Sequence, residues 1–278
     1  MTSSAPGARA RFAAAVDMPD DRIDLGESAL LIATHEYPQL ALEPYLQRLD
    51  VLAERVNDRL SNETAPPVVL GELTRVLFQE EALRGNDAAY YDPRNSFLND
   101  VLDRKLGIPI SLGVVVLEVG RRLELPLEGV GFPGHFLVRY RGEAVSLLID
   151  PFDSGRIRFE DQAQELLDRA YDGSVQVRSE FLEPVGARAI LERMLRNLKG
   201  IYLNARDDFR ALGIIDLLLV LQPEARGEVR DRGIMLARVG RYDEAIEQLE
   251  LYLDFAPGAT DAPRVRDYIL RLAEGSSR

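Results

Sequence analysis

Apolar positions along the chain change period several times, and each change marks an element. From Asp24 to Glu36, Leu25, Ala29, Ile32 and Ala33 fall on one face of a 3.6-residue repeat, which predicts a helix starting near Asp24. Asp24 and Glu27 are spaced as a capping box. Ala41 to Leu60 repeats the pattern through Leu42, Tyr45, Leu46, Leu49, Leu52, Ala53, Val56 and Leu60, and Pro67 opens a third helix running through Phe78 and Leu83. Within 92–105, Phe97, Leu98, Val101 and Leu102 again have helical spacing after a turn start. Ile110 to Val119 is then a nearly unbroken apolar run, with Pro109 before it and Arg121 and Arg122 behind it. This predicts a helix from Ile110 to Leu123 that is buried on most sides. Phe136 to Tyr140 and Val145 to Ile149 are short runs of β-branched, aromatic and Leu residues joined through Arg141, Gly142 and Glu143, so they predict a strand pair against that helix. His135 enters the first strand and Asp150 leaves the second.

Beyond Pro151 the pattern predicts a turn at Asp153 to Gly155, a short strand and a helix from about Glu160. Residues 172–188 lack a strong period and contain Gly173, Pro184 and Gly186, which marks a domain boundary. The rest reads as helical and repetitive: Tyr202, Ala211 and Pro223 return 34 residues later as Leu236, Ala245 and Pro257. That is the tetratricopeptide period, and two degenerate copies need a neighbouring surface or a last helix, Arg264 to Ala273, to cover them. The expected division is a flexible N-terminus at 1–22, an α+β domain at 23–180 and an all-α repeat region at 187–278.

Composition narrows the chemistry. Hydrophobic residues make up 46% of the 278, as in ordinary packed domains. Acidic residues outnumber basic ones by 46 to 34, which opposes attraction to a phosphate backbone, so no nucleic-acid partner is expected. The absence of Cys removes disulfides, thiolate metal sites and cysteine catalysis, and with two His the expectation is no metal and no cofactor. The run Phe12 to Val16 is too short for a signal-peptide core, and Ile110 to Val119 is about half of the ~20 residues a spanning helix needs. A cytoplasmic chain with no membrane contact is expected.

Outside the strand pair, several residues have two readings. Asn95, Ser96 and Asn99 cluster where a helix should begin; they fit helix capping, and they also fit a role lining a cleft near His135. The Gly-rich stretch Gly129 to His135 lacks phosphate-loop spacing and reads as a tight lead-in to the His strand, in which Phe132 is either a core anchor or an aromatic cleft wall. His35 has no second His or acidic cluster in register and reads as a polar residue of the first helix.

Gly107, Leu125-Pro126, His135 and Asp150-Pro151 stand in the order of the transglutaminase-like cysteine enzymes. More closely, DPRNSFLNDVLDRKLGIPISLG with GFPGHFLVR and IDPF resembles the SirB-type bacterial proteins, a transglutaminase-like domain followed by tetratricopeptide repeats. The resemblance implies a papain-like core of a helix on an antiparallel sheet, and a protein partner for the repeat region. It also implies a Cys-His-Asp set in which His135 and Asp150 keep their places while Pro109 stands in the Cys position. Ser111, two residues on, is the nearest hydroxyl, but two residues rotate a side chain by roughly 200° about a helix axis. Ser111 is therefore either a first-turn residue bonded to local backbone or the nucleophile of a Ser-His-Asp hydrolase or acyl-transferase. His135 and Asp150 are either a structural pair or a binding and acid-base pair. The leading expectation is a catalytically degenerate transglutaminase-like protein acting through protein contacts, with Asn95, Asn99 and Phe132 as candidate binding residues.

Overall fold

A computed structural model of the chain describes residues 6–60, 63–142 and 145–276. In chain order the helices and strands begin with α1 (Pro6–Val16), α2 (Leu25–Ala33), α3 (Glu43–Leu60), α4 (Pro66–Thr74), β1 (Arg84–Gly85), α5 (Leu98–Arg104), β2 (Leu106–Gly107) and α6 (Pro109–Arg122). There follow β3 (Leu127–Val130), β4 (Leu137–Arg141), β5 (Ser146–Asp150), β6 (Arg156–Phe159), α7 (Ala163–Tyr171) and β7 (Pro184–Val185). The chain closes with α8 (Ala187–Ala205), α9 (Asp208–Leu221), α10 (Arg226–Arg238), α11 (Tyr242–Phe255) and α12 (Ala262–Ser276). Two compact units result: Ala15–Met194, and Leu195–Arg278 together with the N-terminal stretch that ends at Ala14.

The first unit is α+β. Its sheet has the order β6-β5-β4-β3-β7, antiparallel throughout, and α6 packs on β3 and β4. The expected helix and both expected strands form within a residue of their predicted starts; Glu143, in the connection between the strands, lies outside the described residues. Pro109 takes the first position of α6, where its fixed φ is helical and no amide is needed. Eleven of the 14 residues of α6 are buried, because α2, α3 and α5 cover the side that the sheet leaves open. Close helix-sheet approach depends on Gly113: a Cβ there would lie 2.5 Å from the ring of Phe136. Asp24 caps α2 by accepting the Glu27 amide at 2.8 Å, as the spacing predicts. That helix ends at Ala33, however, so His35 lies in the following turn and not in the helix. The third predicted helix also changes form, with α4 passing at Arg75 into a six-residue π-helical turn. That turn carries Phe78 onto Gly155, whose φ of +73° and lack of a side chain let the ring approach the β5-β6 turn.

In the repeat unit, Ala211 and Ala245 are fully buried, and a Cβ on Gly233 would lie 2.7 Å from Leu249 and 3.2 Å from the Ala245 carbonyl. Small residues at the recurring positions let α10 and α11 close on each other. Val229, Leu249, Tyr252, Ala256 and Val265 form a shared apolar cluster with partly buried residues of α12, which covers the last repeat. Lys199 bridges Glu228 and Asp231 at 2.7 and 2.6 Å, and Arg230 reaches Asp261 at 2.7 Å, so charges on successive repeats neutralise each other. Pro6–Val16, inside the stretch expected to be flexible, is helical: Ala8, Phe12 and Val16 recur every four residues and are buried.

Candidate functional site

The β4-β5 register sets Val138 opposite Ile149, which brings the start of β4 beside the end of β5. Just before β4 the chain turns at 132–135, with the His135 amide donating to the Phe132 carbonyl at 3.0 Å and Gly134 at φ +67°. The turn presents the imidazole to Asp150: Nε2 of His135 lies 2.7 Å from Oδ1 of Asp150. The same carboxylate oxygen accepts the amides of Phe152 and Asp153 at 3.2 and 3.1 Å, so the chain just after β5 folds back to hold it. Arg158 on β6, only 2% exposed, donates to Asp153 at 2.8 Å and adds positive charge behind the pair. Burial alone would raise the Asp150 carboxyl; the His135 hydrogen bond and charge, the Asp153 amide and Arg158 outweigh it, and the carboxyl is held below its ordinary value. An ionised Asp150 accepts from Nε2–H of His135, which leaves Nδ1 as the nitrogen that faces away from the carboxylate. The imidazole keeps 19% of its side chain open to solvent, against 2% for Asp150.

Aromatic residues line one side of the imidazole. Phe152 lies edge-on to His135 at 6.2 Å between ring centres, Tyr90 edge-on to Phe152 at 6.0 Å, and Tyr91 edge-on to Tyr90 at 5.4 Å. Gly85 is the place where this row meets α6. A Cβ on it would lie 2.5 Å from the Phe152 ring, and Gly85 pairs with Gly107, two residues before Pro109. The start of α6 is thereby brought to the dyad's neighbourhood. Behind the 132–135 turn, Arg193 of α8 donates to the His135 carbonyl at 2.7 Å and lies 5.9 Å from the centre of the Phe136 ring.

The other expected residues occupy less open positions. Ser111 is fully buried; its hydroxyl donates to the Asn95 carbonyl at 2.5 Å and accepts the Ile108 amide at 3.0 Å. Asn95 is fully buried as well, its side-chain amide donating to the carbonyls of Ala89 and Tyr90 at 2.7 and 3.2 Å and its oxygen accepting from Asn86 at 2.9 Å. Asn99 is 4% exposed and its Oδ1 meets no donor among the described residues. Phe132 packs with Val130, Leu137, Leu148, Ala163 and Leu167 on the sheet. The dyad is thus assembled, while Ser111, Asn95 and Phe132 are engaged elsewhere. Sequence reasoning missed Tyr90, Phe152, Arg158 and Arg193. The Tyr90-Tyr91 pair directly ahead of the DPRNS block was the available signal for the aromatic row.

Among the described residues no group of three or more His, Asp or Glu is placed to hold a metal ion, and no helix is long and apolar enough to cross a membrane. A model of the transglutaminase-like superfamily matches residues 43–196, and a tetratricopeptide repeat model matches residues 198–269. A UPF0162 protein of Xylella fastidiosa (strain Temecula1) is 38% identical over 260 residues, covering 91% of this chain and 92% of that protein. A UPF0162 protein of Vibrio cholerae is 29% identical over 258 residues, covering 92% and 95%. The human F-box only protein 21 is 33% identical over 132 residues, which are 47% of this chain and 21% of that protein. No solved structure matches.

Proposed function

We propose that this chain, which belongs to the transglutaminase-like superfamily and to the UPF0162 proteins within it, is a catalytically degenerate member that acts through protein contacts, with a regulatory role. The observation that carries the reading is the division between the two halves of the expected triad. His135 and Asp150 are bonded and oriented with the imidazole partly open, whereas the serine nearest the Pro109 position, Ser111, is buried with its hydroxyl donating to the Asn95 carbonyl. A serine nucleophile needs its hydroxyl bonded to the base that removes its proton. Pro109 offers the base nothing to activate, and the chain has no Cys. The repeat unit supports the second half of the reading: tetratricopeptide repeats commonly carry protein contacts, and Phe209 and Leu270 remain 70% and 63% exposed there.

Three measurements test it. Pro109→Cys places a thiol at the start of α6, where the helix dipole and the neighbouring imidazole are expected to bring its pKa below the ~8.5 of a free thiol, read as iodoacetamide rate against pH. The unmodified protein is expected to resist serine-directed phosphonates. Stoichiometric phosphonate labelling of Ser111 would replace this reading with a Ser-His-Asp hydrolase or acyl-transferase acting on an amide or ester. For the contact role, affinity capture from the native cell is expected to lose its partner when Phe209 and Leu270 are both changed to Ser. Equal recovery with the variant places the contact elsewhere.

A further inference from the structure

Arg193 is an anomaly in its unit. Acidic residues exceed basic ones mainly in Ala15–Met194, and the better-buried cations there face carboxylates: Arg158 meets Asp153 and Glu165, Arg139 meets Glu128, and Arg122 meets Glu118. Arg193 is half-buried on α8 and, among the described residues, meets no carboxylate: its hydrogen bonds go to the carbonyls of His135 at 2.7 Å and Phe132 at 3.5 Å, and its guanidinium lies 5.9 Å from the centre of the Phe136 ring. A guanidinium carries five N–H donors, and neutral carbonyls satisfy hydrogen bonds without satisfying the charge. The desolvation shows in its acidity, which burial shifts toward loss of the proton. Two tyrosines lie within electrostatic reach of it, Tyr90 and Tyr171, each 37% exposed, and neither hydroxyl bonds another described residue. Tyr171 also stands over the His135 turn, its hydroxyl 3.0 Å from where a Cβ on Gly134 would be. A guanidinium without a carboxylate, two part-exposed phenol donors and the aromatic row that ends on His135 are therefore gathered around the 132–135 turn.

We infer that Arg193, Tyr171 and Tyr90 form a recognition site for a carboxylate carried on an aromatic or apolar group, seated beside the His135-Asp150 dyad. The fork of N–H groups matches a carboxylate, the phenols supply further donors, and the Tyr90-Phe152 row accepts the apolar part. The acid excess of the unit favours a single negative charge over a phosphate dianion, which would meet about twice the long-range repulsion. The inference goes beyond the degenerate-enzyme reading and does not depend on it, because the site uses no nucleophile.

With only two His in the chain, the imidazole signals report the site with little ambiguity. The full-length protein, with its imidazole nitrogens followed by NMR, is titrated with phenylacetate, with the uncharged isostere phenylacetamide, and with inorganic phosphate at matched ionic strength. Phenylacetate is expected to shift His135 saturably and to leave His35 in place, with phenylacetamide and phosphate each at least about tenfold weaker. Arg193→Gln is expected to weaken phenylacetate by about tenfold or more. Because Arg193 also holds the 132–135 turn, the double variant Tyr90→Phe, Tyr171→Phe is run beside it: it keeps both carbonyl contacts and is expected to weaken binding severalfold. No saturable His135 shift, equal binding of the amide, tighter binding of phosphate, or unchanged affinity in both variants overturns the inference.

Discussion

The dyad corner and the first turn of α6 are built from the same kinds of interaction and end in opposite states. At the corner, Asp150 is enclosed by two amides and the imidazole, and every bond it accepts leaves the far nitrogen of His135 unspent. In the first turn of α6, Ser111 donates its one proton to the Asn95 carbonyl and accepts the Ile108 amide, so the hydroxyl has no donor to spare. One region keeps a polar group ready; the other uses its polar group up. The lesson is that a bonded imidazole and carboxylate are not by themselves evidence of catalysis, since their geometry is set by the sheet and the β5-β6 turn.

The sharpest way to break the contrast is His135→Ala, which removes a partner from a carboxylate that is 2% exposed. A loss of about 2 to 3 kcal/mol in urea unfolding is expected, and no loss would mean that Asp150 is already satisfied without the imidazole. Ser111→Ala is next, with an expected loss of about 1 to 2 kcal/mol, because the Ile108 amide is left buried without an acceptor. A stabilised Ser111→Ala variant would show that the hydroxyl is held under strain, as functional groups often are. The smallest effect appears only in acid. A carboxyl whose folded pKa is depressed lends stability that is complete above its unfolded value, about 3.9, and that disappears as the pH falls through the folded value. The stability difference between the parent and Asp150→Asn should therefore be constant from neutral pH to about 4 and shrink below it. A difference that stays constant to the acid limit would remove Asp150 from the acid-sensitive groups.

Elements with a local or strictly periodic cause were legible in the sequence. The apolar run behind Pro109 reads as a covered helix, and the two short strands placed His135 and Asp150 at adjacent strand ends in the order of the transglutaminase-like proteins, which is what made their pairing an expectation. What was not legible depends on direction or distance. Nothing in the chain says that the Ser111 hydroxyl turns toward a carbonyl 16 residues earlier, because a first-turn serine can face its own backbone or a cleft with the same spacing. Arg193 escaped for another reason: it stands 58 residues from the carbonyl it holds, on a helix whose pattern reads only as the start of the repeats. The π-helical turn at 75–80 has no signature of its own, since a single inserted residue leaves the apolar spacing of Val76, Leu77 and Phe78 intact.

The Asn95 side chain has a consequence in time as well as in space. By tying the carbonyls of Ala89 and Tyr90 to Asn86, it closes the 86–95 loop upon itself, and the tyrosines ride on a stapled segment. Such a segment does not sample its open forms in the nanoseconds typical of a free loop; it must break several bonds together, on the slower scale of local unfolding. The amides of Ala89 and Asp92, which donate to the Asn86 side chain and the Ala89 carbonyl, should then exchange their protons far more slowly than those of a free loop. For the carboxylate ligand proposed at His135, the wall would then already be in its final shape, and association is expected to be governed by fit and not by waiting for the loop to move.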